Sequence, residues 1–379
     1  MNRGRGGNRS AVSPHGTDRP PHGTDGRGPA LPTGTWLFAG GDGLLTAYLP
    51  APGALLRWTE DPTSPGRWSG PDTVEIPGGT GPVDMARSPE GYVHFIALRR
   101  SPEGAPEVAF ATQFQSRRAL TDWHPLGVPG VRGGPTGDSL TGPPRIVVNR
   151  RSGSVHVLVS LRLGGIVRRS RNPNGGWGGW KHISPEPVIG GITAAMPAGG
   201  ALELLAEGGA GIERWAGAGQ GRFALTERIG TPLVPGSATV CETGRGRATY
   251  FWRYPGDGSL VAWRAPHREV QGGLMGLGGA GGRGAPGAGR AMIGGYDCTV
   301  LAQSGAQGDI ELTAYVTENE GYGAWWASLG GRDLRAPQVA VDGSGRIVVA
   351  ALDARGVPSV ARQDPGGDGL AFGGWQPIA

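Results

Sequence analysis

A short tryptophan–glycine phrase returns along the chain, and nothing else in the sequence restricts the fold as tightly. At residues 175–183 it reads Gly-Gly-Trp-Gly-Gly-Trp-Lys-His-Ile, a short apolar strand entered through a glycine turn. The phrase stands again at Leu120, Trp123 and Leu126, at Trp326 and Leu329, at Phe372, Trp375 and Ile378, and in worn form at Phe223, Thr226 and Ile229. A unit that recurs about every 50 residues is a structural repeat, which cannot bury its apolar faces alone and must stack on copies of itself.

Short alternating apolar segments fill the intervals. Turn residues separate them, as at Ser88-Pro89-Glu90-Gly91, Arg151-Ser152-Gly153, Pro197-Ala198-Gly199-Gly200 and Asp342-Gly343-Ser344-Gly345. These supply the positive or preset φ that tight hairpins need. No segment keeps a ~3.6-residue apolar period over a helix-length window, so almost no helix is expected. Seven units fit, at about 34–77, 81–128, 143–184, 190–230, 236–277, 289–331 and 335–379, within a body spanning 33–379. Four-stranded meanders repeated radially are propeller blades. The predicted fold is all-β: a seven-bladed β-propeller of four-stranded antiparallel blades with a disordered N-terminal tail. Each blade runs from a first strand to a fourth, so the ring closes with no strand shared between its ends.

Composition supports that division. Glycine (74) and proline (33) make up more than a quarter of the 379 residues, a share that signals disorder when nothing else punctuates it. Here twelve tryptophans supply the burial that disordered chains lack. Residues 1–32 are different: rich in Arg, Gly, Pro and Thr, they repeat Pro-His-Gly-Thr-Asp and carry few large apolar side chains. Such a segment cannot offset its ordering entropy and is read as a disordered tail. His15 and His22 in it are low-complexity repeats rather than metal ligands. The tail also holds five arginines against two aspartates, which leaves +2 of the net +5 for the body, where Lys181 is the only lysine. The basic balance is therefore weak support for nucleic-acid binding.

Cys241 and Cys298 fall in different units and read as two buried thiols, neither a disulfide framework nor a zinc site. No stretch approaches the ~18 apolar residues of a membrane span. The N-terminal arginines have no apolar h-region behind them, so a cytoplasmic location is expected, with unconventional export open. Residues 276–289, almost all Gly and Ala, contain G-x-G-x-x-G on paper but lack the flanking strand and helix of a phosphate site. They are expected to form a flexible loop between blades.

The phrases Trp177-Gly178-Gly179-Trp180-Lys181-His182-Ile183 and Ala324-Trp325-Trp326-Ala327-Ser328-Leu329-Gly330-Gly331 resemble the blade ending of the PLL-like seven-bladed propeller lectins, W-x-x-W-x-x-L-G-G. Val341-Asp342-Gly343 is similar to the family's Asp-Gly hairpin after the first strand. The likeness is clear in units two, three, six and seven; unit four has Thr226 in place of the Trp, and unit five has no matching phrase. In that family sugars sit in shallow pockets between adjacent blades, so the resemblance implies fewer than seven such pockets and no particular sugar.

On third strands, Leu55/Trp58, Ile212/Trp215, Leu260/Trp263 and Leu312/Tyr315 share a three-residue offset. An odd offset puts the two side chains on opposite faces, the aliphatic toward one blade interface and the ring toward the other. The rings are either interface packing or stacking platforms for an apolar sugar face. As platforms, Trp58, Trp215, Trp263 and Tyr315 would be joined by Trp177 and Trp325, expected to be partly exposed. Arg57, Glu213, Arg214 and Arg264 beside them would supply directed hydrogen bonds. The recurring Trp123, Trp180, Trp326 and Trp375 read as packing elements.

Arginine pairs at Arg99-Arg100, Arg117-Arg118, Arg150-Arg151 and Arg168-Arg169 make units two and three the most basic part of the body. Aromatic interleaving of the kind used by single-strand binders is missing there, which argues against nucleic acid. Asp84, Asp297 and Asp342 lie near first-strand ends, yet no paired-carboxylate, triad or metal-ligand spacing emerges, and the histidines of the body show none. No cofactor and no metal is expected. The reading is a non-enzymatic carbohydrate-binding, lectin-like propeller with a glycan or glycoconjugate partner. The alternatives are a protein-interaction scaffold without a sugar site and, more weakly, a propeller glycoside hydrolase.

Overall fold

The structure, a computed structural model, describes residues 31–378 apart from breaks at 33, 128, 130–139, 141, 163–164, 173, 185–187, 189–190, 199, 209–210, 218–221, 245, 268–269, 271 and 366–368. Apart from its last two residues, the predicted tail, with both histidine repeats, lies outside the described residues.

Seven four-stranded antiparallel sheets follow one another along the chain, at 37–75, 79–127, 145–184, 192–229, 239–278, 283–328 and 335–377. In each sheet the strands are paired in sequence order, first to fourth. Short alternating segments with glycine turns leave no room for helix, and a single 3-10 turn, Glu320–Tyr322, is the only helical element among the described residues. Gly91, Gly153 and Gly345 close first hairpins at φ 88°, 67° and 84°, conformations that side chains disfavour.

The core is a set of wedges between blades rather than one centre. Leu204, Ile183 and Trp215 fill the wedge between blades 3 and 4; Tyr250, Ile212 and Trp263 fill the next; Phe251, Leu260 and Tyr315 fill the one between blades 5 and 6. Three of the four offset pairs are split between wedges as strand geometry requires, while Leu55 and Trp58 share the large cluster spanning blades 7, 1 and 2. Ile212 and Trp215 lie in different wedges, as do Leu260 and Trp263, and Leu312 and Tyr315.

The recurring tryptophan has a second function besides packing. Each indole Nε1 donates to a carbonyl near the end of the preceding blade's fourth strand: Trp123 to Glu75 (3.0 Å), Trp180 to Leu126 (3.2 Å), Trp326 to Leu277 (2.8 Å) and Trp375 to Leu329 (3.0 Å). In blade 4, Thr226 bonds within its own blade to the Arg214 carbonyl, and Phe223 instead lies under the Arg168 guanidinium of blade 3.

Blades 7 and 1 meet without an exchanged strand. Trp36 Nε1 donates to the Ala336 carbonyl (3.0 Å), Gly343 N to the Gly43 carbonyl (3.2 Å), and Arg362 to Glu60 (2.7 Å).

The flexible loop expected at 276–289 is not what forms. Its first residues belong to the fourth strand of blade 5, Gly273–Gly278, and its last to the eleven-residue first strand of blade 6, Arg283–Ile293. The glycines serve close approach. A Cβ at Gly287 would meet the Pro337 carbonyl at 2.7 Å, and one at Gly289 would meet Val339 at 2.9 Å.

Candidate functional site

First strands face the axis, and residues from all seven line one central channel of about 710 Å³. Small side chains such as Ala39, Ala86, Ala194 and Ala340 keep its bore open. Because every first strand runs the same way, their C-terminal ends gather at one mouth, bringing Arg87, Arg150, Glu242, Arg290 and Asp297 together. Arg150 Nε reaches Glu242 at 3.4 Å, passing over blade 4 from blade 3 to blade 5. Arg290 pairs with Asp297 and donates to the Glu242 carbonyl at 3.4 Å. Cys241, expected to be buried, is instead half-buried on this channel, and burial of its sulfur pushes the thiol up to about 11. Cys298 is buried, and both cysteines are free.

Most of the ring platforms suggested by sequence are closed off. Trp58, Trp215, Trp263 and Tyr315 are 5%, 6%, 2% and 6% exposed. The reason is architectural: a third strand lies between two others and beneath the neighbouring blades, so its two faces are both covered. Their charged companions are engaged as well. Arg57 pairs with Asp72 (2.8 Å) and donates to the Arg118 carbonyl (2.6 Å). Glu213 takes hydrogen bonds from Trp215 Nε1 (3.3 Å) and Arg228 (3.2 Å). Arg214 pairs with Glu203 (2.7 Å) and lies over the Trp263 ring at 5.6 Å. Arg264 and Glu320 form a forked ion pair in which both side chains are almost wholly buried.

Trp177 and Trp325 behave differently. Trp177 is half-buried between blades 2 and 3, edge-on to Phe110 at 5.0 Å, with the Arg169 guanidinium 6.0 Å from its ring and Arg171 over Phe110 at 5.4 Å. Two histidines sit at equivalent second-strand positions: His94 stacks on Phe110 at 5.6 Å, and His156 has Arg168 as its charged neighbour. His94 Nδ1 meets Thr112 Oγ1 and His156 Nδ1 meets Ser170 Oγ, both at 2.9 Å. Desolvation first, then Arg171 or Arg168, pushes each imidazole down to about 4.

Trp325 is 76% exposed, on the segment joining the third and fourth strands of blade 6. Tyr322 on the same segment is 79% exposed. The segment is not loose: Glu320 is buried against Arg264 of blade 5, Glu318 pairs with Arg247 (2.7 Å), and Thr317 N donates to the Asp297 carbonyl (2.9 Å). That last bond ties it to the neighbouring hairpin, which exposes Met292 and Tyr296 and carries the Arg290–Asp297 pair. Sequence reasoning found Trp325 and missed Tyr322, Tyr296 and Met292. The available signal was the length of the segment between Val316 and Trp326, which no strand pattern explains.

The acids near first-strand ends are each held by arginine: Asp84 by Arg145 (3.6 Å), Asp297 by Arg290, and Asp342 by Arg346 (3.1 Å) and Arg362 (2.6 Å). Among the described residues no cluster of His, Cys, Asp and Glu is arranged to hold a metal, and no helix is long and apolar enough to cross a membrane.

No family model matches the chain, and no curated protein matches it. Solved structures do. AofleA from Arthrobotrys oligospora is 13% identical with a TM-score of 0.50, over 78% of this chain and 88% of that one. A triple arginine-to-alanine mutant of AofleA gives 12% and 0.52, over 78% and 86%. A mutant of the Aleuria aurantia lectin, solved in complex with Fucα1-6GlcNAc, gives 10% and 0.49, over 78% and 95%. At these identities the likeness is one of fold.

Proposed function

We propose that the chain is a non-enzymatic carbohydrate-binding propeller whose principal stacking surface is the blade 6 segment bearing Tyr322 and Trp325. The observation that carries this reading is the exposure of two large rings on a segment anchored by a buried ion pair. Exposed aromatics on a fixed support give an apolar sugar face a surface that is already ordered, so little entropy is lost on binding. The adjoining hairpin, tied to this segment through the Thr317 N to Asp297 carbonyl bond, carries the charged pair Arg290 and Asp297. The half-open Trp177, flanked by Arg169 and Arg171, is a second and smaller platform in a blade interface, the place the PLL-like resemblance implies. Weak sites on one rigid ring act together at a glycan-coated surface.

A protein-binding scaffold is the second reading. Met292, Tyr296 and Val316 are exposed on the same blade and would suit a protein surface. Hydrolysis has one observation on its side, since Glu242 and Asp297 line one channel, but each is engaged by an arginine.

A glycan array probed with the full chain at high density tests the proposal. Binding that is lost in Trp325→Ala and weakened in Tyr322→Ala supports it. Silence across the array, or binding untouched by both changes, overturns it and leaves the scaffold reading.

A further inference from the structure

We propose that the arginine side of the channel mouth is a binding site for amphiphilic organic anions, with the head group between Arg87 and Arg150 and the aliphatic body along the bore. This stands independently of the glycan reading and concerns another class of ligand.

The rim is lopsided in charge. Around one side runs a connected chain of groups: Arg150 to Glu242, Arg290 to the Glu242 backbone, Arg290 to Asp297. Arg87, in the next blade round from Arg150, completes the mouth without a carboxylate partner among the described residues. Its guanidinium donates only a long bond, 3.4 Å, to the Gly40 carbonyl. The charged group that Arg87 feels is another cation. Desolvation first and Arg150 second hold its guanidinium below the usual range. Two arginines converging on one opening, one unpaired and the other in a 3.4 Å pair, leave fork-shaped donors that an oxyanion satisfies.

The bore below selects what carries that oxyanion. Below the charged rim it carries a band of aliphatic side chains, with Ala86, Val147, Ala194, Val240 and Val341 among the residues that face it. Its 710 Å³ lies within the range of small-molecule sites. A hydrophilic anion would gain the arginines and leave the wall unused; a neutral chain would gain the wall and leave the arginines unsatisfied. A molecule that joins a carboxylate or sulfate to a short aliphatic chain meets both.

Calorimetric titration of the full chain with octanoate, octyl sulfate, octanol and inorganic sulfate tests this. Saturable binding is expected for octanoate, octyl sulfate or both, and the tighter of the two identifies the head group. Octanol should bind at least about tenfold more weakly because it loses the charge-assisted contact, and inorganic sulfate at least about tenfold more weakly because it buries no aliphatic chain. Arg87→Gln and Arg150→Gln should each weaken the octyl anions by about tenfold, at unchanged urea midpoints. Arg355→Gln, which alters an arginine in a tight turn of blade 7, should leave affinity unchanged. The proposal fails if neither octyl anion saturates, if octanol or inorganic sulfate binds as tightly as its amphiphilic counterpart, or if Arg355→Gln weakens binding as much as Arg87→Gln.

Discussion

Arg362 in the third strand of the last blade donates to Glu60 in the third strand of the first, Nη2 to Oε1 at 2.7 Å, across 302 positions of sequence. With side chains only 15% and 5% exposed, this is a nearly buried pair at a seam that no shared strand reinforces. Replacing Arg362 by Met leaves Glu60 without its cation and should lower stability by about 3 kcal/mol. Arg355→Met, whose side chain is 84% exposed, should change it by less than about 0.5 kcal/mol. Urea unfolding of both variants checks the contrast.

Trp375→Phe keeps most of a ring but removes the donor to Leu329. It should cost about 1–2 kcal/mol, much of it from leaving a carbonyl unmatched. Trp325→Phe, exposed and without such a bond, should fall within about 0.5 kcal/mol of the parent. Thermal unfolding of the pair separates the stitching tryptophan from the displayed one.

Two glycines near the join of blades 5 and 6 should respond oppositely to alanine. Gly287→Ala places a methyl against the Pro337 carbonyl and should destabilise by about 1–3 kcal/mol. Gly276→Ala points into open space and should be neutral or stabilise by up to about 1 kcal/mol. If both were neutral, the close packing of blade 6's first strand on blade 7 would be wrong.

His94 and His156 set a pH dependence. Each binds its proton near pH 4 in the folded chain and near pH 6.5 when unfolded, so the unfolded state takes up protons first as pH falls. Stability is therefore full above about pH 6.5 and is lost as pH drops from there toward 4, by up to about 1.4 kcal/mol per pH unit for each histidine. Urea midpoints at pH 7 and pH 5 should differ less in a His94→Gln, His156→Gln double variant than in the parent.

The repeat was legible because ring packing demands the same residue at the same place. Trp123, Trp180, Trp326 and Trp375 announce blades, and Gly91 or Gly345 announce hairpins, since only those residues satisfy the local geometry. What failed were inferences from composition. The run at 276–289 looked flexible because glycine is flexible, whereas here it makes room for Pro337 and Val339, a constraint supplied by a blade distant in sequence. The site was only partly legible for a related reason. Trp58, Trp215 and Trp263 share spacing because each fills the corresponding place in its own blade interface, so the regularity that made them noticeable also buried them. Trp325 and Tyr322 break the pattern and remain outside. Arg87 and Arg150 could not be paired from spacing, because the channel mouth assembles from blades about 60 residues apart.

Each indole stitch reaches backwards, from a later blade to the one made before it. During synthesis the Glu75, Leu126, Leu277 and Leu329 carbonyls of blades 1, 2, 5 and 6 therefore meet their indole partners only after the following blade has emerged from the ribosome. Trp36 inverts the direction: the earliest ring in the body waits for Ala336, near the start of the final blade. Until then the nascent wheel is an open fan, with an unsatisfied indole at its leading edge.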